Sequence, residues 1–294
     1  MRHRIVLLLI SVVWPMGLNA QTGLLISELL YQPRSGEAEY VEFYNASPAT
    51  VELSDYSLVR WVGDSLGRHY RLPSGLLPSG GYAVFTSSAA SVEANYRVKY
   101  PQWLIECQLP PFPNTGGSVI LATLDTTIVD RFDYSPSMHN PLLHEEAGVS
   151  LERRSFARPT HAEGNWASAS ATAGYGTPGY ENSQSTDRMD DDGWFELSST
   201  ILSPDGDGYQ DMLTISYSLD RSDLAARIDL YNRQGTLVRR LLNGATLGAA
   251  GEVEWDGTDA GGRLVAAGQY VVEIWLYDVT GVVRRVRRVV AVVR

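Results

Sequence analysis

A seven-residue acidic loop carries the clearest chemical signal in this 294-residue chain. In Asp205-Gly-Asp-Gly-Tyr-Gln-Asp211, carboxylates occupy positions 1, 3 and 7, and a backbone carbonyl is available at position 5. Calcium takes about six to eight oxygen ligands, and the intervening glycines let the backbone curl so that these oxygens face one point. We therefore expect a calcium site with the ligands Asp205, Asp207, Tyr209 and Asp211.

A solvated acidic turn is the alternative interpretation of this loop. In that case Asp211 would bond to backbone amides and hold the turn closed without an ion. The loop lacks the twelfth-position glutamate of an EF-hand, because Ser216 stands there. The residues leave both interpretations open. For Asp256 and Asp259 the sequence predicts a hairpin turn, with Trp255 in the core, rather than a second metal loop.

Catalytic signals are weak. His139 and His144 lie five residues apart beside Glu145 and Glu146, whereas a helical zinc pair needs a spacing of four, and Pro141 disfavours a helix there. The single cysteine, Cys107, excludes an intramolecular disulfide and a cysteine-rich zinc site. No nucleophile elbow, phosphate-binding glycine loop or dinucleotide fingerprint is present. We expect a protein that is not an enzyme; a hydrolase with its site in the His139–Glu146 loop is the less favoured alternative.

Composition narrows the class of protein further. A hydrophobic content of 44% with 20% charged residues indicates a globular chain rather than a disordered one. The net charge of −10 argues against general nucleic-acid binding. Twenty-seven glycines, 14 prolines and 16 tyrosines, against five methionines, favour strands and turns over helices.

The first 20 residues have the organisation of a secretory signal peptide. Met1-Arg-His-Arg4 is basic, an apolar run follows up to Val13, and Leu18-Asn-Ala20 ends the segment with a small residue. The apolar run is about half the length that a membrane-spanning helix needs. We expect cleavage after Ala20, export through the periplasm, and a secreted or surface-displayed mature chain without a transmembrane segment.

The elements that would position the acidic loop fall into two β-rich blocks. Residues 23–183 and residues 198–294 both contain short strands separated by frequent turns, as in antiparallel sandwiches. Alternation is clearest from Leu213 to Leu219, where every second residue is apolar. Residues 184–197 are polar and acidic, and we expect an extended linker there, with Trp194 and Phe195 as the residues that could already belong to the second block.

The first block resembles the bacterial lamin-tail domain. The resemblance rests on four motifs in family order: Ile26-Ser-Glu-Leu-Leu-Tyr31, Glu39-Tyr-Val-Glu-Phe-Tyr-Asn45, Val51-Glu-Leu-Ser-Asp-Tyr-Ser-Leu58, and Trp166 followed by Gly176-Thr-Pro-Gly-Tyr-Glu-Asn182. It implies an immunoglobulin-like β-sandwich and does not imply an enzyme. Because lamin-tail domains often accompany secreted nucleases and phosphatases, an accessory module of such a hydrolase is an alternative function.

The second block resembles the immunoglobulin-like domain of flagellar hook-capping proteins and the C-terminal domains of gliding-motility-associated surface proteins. Its motifs, also in family order, are Ser203-Pro-Asp-Gly-Asp-Gly-Tyr-Gln-Asp211, Ile228-Asp-Leu-Tyr-Asn-Arg-Gln-Gly235, Trp255-Asp-Gly-Thr-Asp-Ala-Gly-Gly262 and Ala267-Gly-Gln-Tyr270. The resemblance implies an immunoglobulin-like fold and a type IX secretion sorting role. Secreted relatives end in an apolar strand with a basic last residue, as does Val289-Val-Ala-Val-Val-Arg294.

Four arginines precede this end of the chain and have two interpretations. Arg284, Arg285, Arg287 and Arg288 could contact an anionic surface or the secretion machinery, or could protect an edge strand from aggregation. Taken together, the sequence predicts two immunoglobulin-like antiparallel β-sandwiches after a signal peptide. The expected function is that of an exported binding or structural protein. Its expected partners are the cell surface or secretion machinery, other extracellular proteins, or glycans.

Overall fold

The structure is a computed structural model that describes residues 23–62, 65–186, 194–221 and 224–293. The predicted signal peptide, residues 1–20, lies outside these ranges, as does Arg294. Strands dominate the described residues, which confirms the predicted all-β class. None of the helices in these ranges has the length and apolar character required to cross a membrane.

The first domain consists of twelve strands and one short α-helix within the described residues. The helix, α1, is Ala89–Asn95, and the strands are β1 Leu24–Leu30, β2 Tyr40–Asn45, β3 Val51–Glu52, β4 Tyr56–Val62, β5 Ser65–Arg71, β6 Leu76–Leu77, β7 Tyr82–Thr86, β8 Leu104–Glu106, β9 Gly117–Thr123, β10 Ile128–Tyr134, β11 Leu151–Arg153 and β12 Trp166–Ser168.

Two sheets of this domain enclose one apolar core. The larger sheet has the order β12-β11-β1-β2-β7-β8, the smaller one has the order β10-β9-β4-β5, and β3 and β6 form a separate ribbon. Val41 and Phe43 of the larger sheet belong to the same buried cluster as Leu121 and Phe132 of the smaller one. Each such side chain contributes about 1.5–3 kcal/mol when it is fully buried.

The central strands of the larger sheet are buried on both faces. On the face away from the core, Tyr40 and Val84 pack against Val92 of α1 and against Tyr96. The helix begins at Ser88, whose side chain accepts a hydrogen bond from the Ser91 amide at 3.3 Å. This second layer covers the apolar side chains of Leu30, Tyr40 and Val84 on the face away from the core.

The second domain is a sandwich of a three-stranded and a five-stranded sheet. Their orders are β13-β15-β18 and β14-β20-β19-β16-β17, where the strands are β13 Trp194–Leu197, β14 Ile201–Leu202, β15 Leu213–Ser218, β16 Ala225–Asn232, β17 Leu237–Thr246, β18 Ala250–Trp255, β19 Gly268–Asp278 and β20 Gly281–Val292. The predicted alternation is confirmed, because Leu213, Ile215 and Tyr217 are all buried.

The predicted linker, residues 184–197, is wrong at both ends. At its start, Gln184 is buried and its backbone amide donates to Glu152 of the first domain at 2.9 Å. At its end, β13 pairs with β15, because Phe195 supplies an apolar side chain to the second core. Only residues 187–193 separate the two domains, and they lie outside the described residues.

The two domains contact each other directly. The Ala249 amide donates to the Ser183 carbonyl at 2.8 Å, and the Ala171 amide donates to the Thr246 hydroxyl at 3.1 Å. The Thr172 and Tyr217 hydroxyls are hydrogen-bonded at 2.8 Å. The junction is therefore built from specific polar contacts of the first domain with β15, β17 and the β17–β18 turn.

Candidate functional site

The acidic loop brings its three carboxylates together. One oxygen from each of Asp205, Asp207 and Asp211 lies within 4.8 Å of the others, and this is the only such group of three among the residues that the structure describes. Two oxygens bound to one calcium ion at 2.3–2.6 Å are separated by at most about 5 Å. The spacing of the three carboxylates lies within this limit.

Backbone amides use the same carboxylates. Asp211 accepts from the Gly206 amide at 2.6 Å and from the Gly208 amide at 2.7 Å. These two hydrogen bonds lower the pKa of Asp211. Asp207 accepts from the Tyr209 amide at 2.7 Å. The loop thus has the hydrogen bonds of the closed acidic turn, and these bonds favour the charged form of Asp211.

The loop around Asp256 has the predicted structural role. Trp255 is buried, and its indole donates to the Thr258 carbonyl at 2.9 Å. Asp256 accepts from the Thr258 amide at 3.0 Å and forms an ion pair with Arg239 at 2.8 Å. These contacts fix a turn around the core tryptophan.

The His139–Glu146 loop does not gather its titratable side chains into one site. His139 is buried, its Nδ1 is hydrogen-bonded to the Ser168 hydroxyl at 2.9 Å, and burial lowers its pKa to about 4. His144 and Glu145 line a cavity of about 190 Å³, and His139 is not among the residues that line it. Cys107 is half-buried, and burial raises its pKa to about 11, so little thiolate forms at neutral pH.

A row of three buried carboxylates in the first domain was missed by sequence analysis. Glu28 of β1 is paired in register with Glu42 of β2 on one side and with Glu152 of β11 on the other. All three side chains are fully buried, and no ion pair joins them to a lysine or arginine of the described residues. The available signal was a glutamate inside each of two mainly apolar strands, Ile26-Ser-Glu-Leu-Leu30 and Tyr40-Val-Glu-Phe43.

This carboxylate row holds down residues 177–184, which we call the strap. The amides of Thr177, Gly179 and Gln184 donate to Glu28, Glu42 and Glu152 at 3.0, 2.6 and 2.9 Å, respectively. Asn182 completes the attachment, because its side-chain amide donates to the Ser27 and Arg153 carbonyls at 3.0 and 2.9 Å. The Gly-Thr-Pro-Gly-Tyr-Glu-Asn motif therefore folds back over β11, β1 and β2.

Burial determines the charge of the row. It raises the pKa of Glu152 to about 8 and the pKa of Glu42 well above its usual range, and the neighbouring Glu28 adds to both shifts. Burial also raises the pKa of Glu28 itself. At neutral pH Glu152 is therefore mostly protonated, and the row holds the strap through hydrogen bonds.

The arginines of β20 are partly held in place. Arg285 and Arg287 both donate to Glu273 of β19, Arg287 at 2.6 Å, and the Arg285 guanidinium stacks on the Trp275 ring at 4.0 Å from its centroid. On the edge side of the strand, Arg288 donates to the Phe195 carbonyl at 3.0 Å. Only Ala291 and Val292 of β20 pair with β14.

Comparison with protein families supports both domain assignments. Residues 19–136 match the family model of the lamin tail domain, and residues 200–276 match that of the FlgD Ig-like domain. Each domain of the structure is longer than the segment that matches its family model. The first domain continues after residue 136 with β11 and β12, and the second begins before residue 200 with β13 and continues after residue 276 with β20. The chain is thus composed of two β-sandwich modules of types that occur in structural and binding proteins.

Comparison with other proteins adds little. No curated protein matched the sequence significantly. Among solved structures, the chain is similar to dimeric latent PorU from Porphyromonas gingivalis, with 13% identity and a TM-score of 0.28 over 94% of this chain and 21% of that one. It is also similar to red sea bream transglutaminase, with 10% identity and a TM-score of 0.21 over 93% and 32%. The chain therefore spans about a fifth and about a third of the two, and the overall likeness is low.

Proposed function

We propose that this chain is an exported, non-enzymatic binding or structural protein that is displayed at the cell surface or in an extracellular assembly. The observation that carries the proposal is the succession of a signal-type segment, a sandwich matching the lamin tail domain and a sandwich matching the FlgD Ig-like domain. Most titratable groups that are buried or clustered in the described residues anchor backbone segments, as the carboxylate row anchors the strap. Such groups maintain a scaffold rather than assemble a reaction centre.

The second domain sorts or attaches the chain to its partner, which is the secretion machinery or another surface component. Two features support this role. The last strand, β20, ends in the apolar sequence that precedes Arg294, and most of its length lies at the edge of the five-stranded sheet. Arginines on this strand are well exposed; the side chain of Arg287, for example, is 60% exposed.

Calcium binding to the acidic loop would stabilise the second domain outside the cell. Asp205, Asp207 and Asp211 would supply carboxylate oxygens, and Tyr209 would supply its carbonyl. Calcium would shield the repulsion between these closely spaced carboxylates. Extracellular calcium modules bind with dissociation constants of about 10⁻⁴ to 10⁻³ M, so a modest affinity would suffice.

Removal of the second domain tests the sorting role. A chain without residues 194–294, produced in the native host, should accumulate in the periplasm, whereas the full chain should reach the surface. Circular dichroism of the truncated chain verifies that the first domain is folded. Surface display of the folded, truncated chain would contradict the sorting role without affecting the fold assignment.

A further inference from the structure

The last strand of the second domain has a long, regular edge. β20 pairs with β19 from Arg284 to Val292 without a register shift, whereas on its other side it pairs with β14 only at Ala291 and Val292. The opposite edge of the same sheet is β17, whose pairing with β16 is interrupted by three register shifts. Such irregularities protect an edge from further pairing. Within the described residues, β20 is therefore the edge of this sheet that another strand can extend.

Three residues of β20 direct their backbone amide and carbonyl groups to this open side. The Ala291 amide donates to the Thr200 carbonyl, on the β14 side of the strand, at 2.8 Å. Backbone groups along a strand alternate between its two sides, so those of Arg285, Arg287 and Val289 point to the same side as those of Ala291. No strand of the described ranges pairs with these three residues on that side.

The side chains at this edge give it an unbalanced positive charge. Arg285 and Arg287 both donate to the single carboxylate of Glu273, so two cations share one anion. The Arg287 side chain is 60% exposed, and a guanidinium has five N–H donors, so it can bind a second carboxylate. Val289, next to them on the same face, is 54% exposed. A strand that pairs here should therefore carry acidic side chains at alternate positions.

The other sheet of the same domain has an edge of opposite charge. β18 ends the order β13-β15-β18 and pairs only with β15 among the described strands. Thr214 of β15 is opposite Glu254, yet its carbonyl accepts from the Ser198 amide on the β13 side. Because the backbone groups of such a pair point away from each other, those of Glu254, and of Glu252 two residues earlier, face the open side. Both glutamates are exposed.

The two edges are complementary in spacing as well as in charge. On each edge, two like charges lie two residues apart and belong to residues whose backbone groups are directed to the open side. Antiparallel pairing of the edges would place Arg285 opposite Glu254 and Arg287 opposite Glu252, which is the favourable arrangement of cross-strand charges. Pairing of two β20 strands would instead place arginines opposite arginines, and like charges in this position are destabilising.

An anionic polysaccharide is the other kind of partner that a row of arginines attracts. It lacks the regular N–H and C=O groups of a strand and would leave the backbone groups of the edge unpaired. Its dense negative charge would also approach the carboxylate of Glu273, which already lies between the two arginines. A strand with alternate acidic residues satisfies both the backbone and the arginines, and β18 of the chain itself has this pattern.

We infer that β20 of one copy pairs head to tail with β18 of a second copy, with Arg285 and Arg287 on one side and Glu252 and Glu254 on the other. Because the two surfaces differ, the contact is heterologous and can repeat along a filament or close into a ring. The inference rests on the proposed function for its setting, an extracellular assembly, and it names a second copy of this chain as a component of that assembly.

Sedimentation velocity of the purified full chain tests the inference. Edge pairing buries little surface, so we expect weak, concentration-dependent association with a dissociation constant of about 0.1 mM or lower. Hydrogen exchange should slow with protein concentration in residues 284–290 and 252–254, and should stay unchanged in β17. Because the protein is purified, the result does not depend on export, which the localisation of the truncated chain tests separately.

Two variants, each with one blocked edge, make the test specific. Glu252→Lys combined with Glu254→Lys reverses the charge of the β18 edge, and Val289→Pro removes an amide of the β20 edge that does not bond to β19. Each variant alone should remain monomeric. An equimolar mixture should form a heterodimer and nothing larger, because only one intact edge of each kind is present.

Two further substitutions provide a milder variant and a matched control. Arg287→Gln leaves Arg285 to pair with Glu273 and should weaken association about fivefold, as expected for the loss of one exposed ion pair. Arg263→Gln removes an exposed arginine from a turn elsewhere in the domain and should associate like the wild type. Melting curves verify that each variant is folded.

Three results would overturn the inference. They are a wild type that stays monomeric at about 0.3 mM, undiminished association of either folded edge variant alone, and failure of the two folded edge variants to combine. If Val289→Pro does not fold, undiminished association of Arg287→Gln has the same meaning.

Discussion

Glu28 of β1 lies directly across the strand pair from Glu42 of β2, and both side chains are fully buried. Like charges in this arrangement would repel each other strongly in a medium of low polarity. Burial raises the pKa of both carboxyls, and each of them accepts an amide of the strap. This relationship makes the first domain sensitive to alkaline rather than acidic conditions.

The free energy of unfolding should fall as the pH rises from 6.5 to 8. Unfolded glutamates release their protons near pH 4.3, whereas Glu152 keeps its proton up to about pH 8 in the folded chain. In this window the folded chain binds more protons than the unfolded chain. Each proton that only the folded chain retains therefore lowers the free energy of unfolding by about 1.4 kcal/mol per pH unit. Denaturant titrations at several pH values measure this slope.

Two substitutions check the origin of the slope. Glu152→Gln and Glu42→Gln keep an acceptor oxygen for the strap and remove the proton, so each should flatten the curve, while exposed Glu93→Gln should not. Two other groups, Glu39 and His139, have shifted pKa values that also affect the pH dependence of stability. Burial raises the pKa of Glu39 to about 7 and adds to the slope, whereas His139, with its pKa lowered to about 4, acts oppositely and only below about pH 6.5. An unchanged slope in both row variants would contradict this account.

Millimolar calcium should raise the melting temperature of the full chain by about 2–4 °C. Binding to the folded state at a few multiples of the dissociation constant adds about 1 kcal/mol. Asp207→Asn keeps the acceptor for the Tyr209 amide, removes one charge, and should abolish the increment, whereas exposed Glu254→Gln should not. Magnesium should do less, because it dehydrates reluctantly. If calcium at about 10 mM leaves the wild-type melting curve unchanged, the loop is only an acidic turn.

Breaking the buried ion pair of the first domain should cost about 3–5 kcal/mol. Arg153 of β11 donates to Asp130 of β10 at 3.1 Å, and both side chains are almost completely buried. Arg153→Met would leave the Asp130 charge buried without its cation. The exposed pair of Arg131 and Asp133, at 2.9 Å, is the matched control, and Arg131→Met should cost less than about 1 kcal/mol. Equal losses in urea unfolding would show that the buried pair has no special role.

Gly248 should control the coupling between the two domains. A Cβ atom at this position would lie 2.4 Å from the Ser183 carbonyl oxygen, which accepts the junction hydrogen bond from the Ala249 amide. Gly248→Ala should therefore loosen the junction and separate the unfolding of the two domains in a calorimetric scan. Gly261→Ala, in a turn where only movable side chains are close, is the control. An identical scan for Gly248→Ala would mean that the domains unfold independently in the wild type.

The strands were predictable because they depend on local patterns. Leu213, Ile215 and Tyr217 alternate with polar residues, so the buried face of β15 follows from period-2 spacing. The carboxylates of the acidic loop are neighbours for a similarly local reason, because Asp207 and Asp211 accept from amides within five residues of themselves.

The carboxylate row and the strap that it holds were not predictable in this way. Glu28 and Glu152 are separated by more than 120 residues, and only strand pairing makes them neighbours. A glutamate side chain that faces away from the core of a sandwich is normally exposed to solvent. Glu28 and Glu42 are buried instead, because the strap covers them.

The N-terminus of the chain recovered from outside the cells tests the central claim of an exported two-domain protein most directly. Mass spectrometry of the surface and extracellular fractions of the native host should find a mature chain that begins at Gln21, with Met1-Arg-His-Arg4 and the apolar run removed. Retention of Met1 on chains that remain inside the cells, with no processed form outside, would contradict export and with it the proposed function.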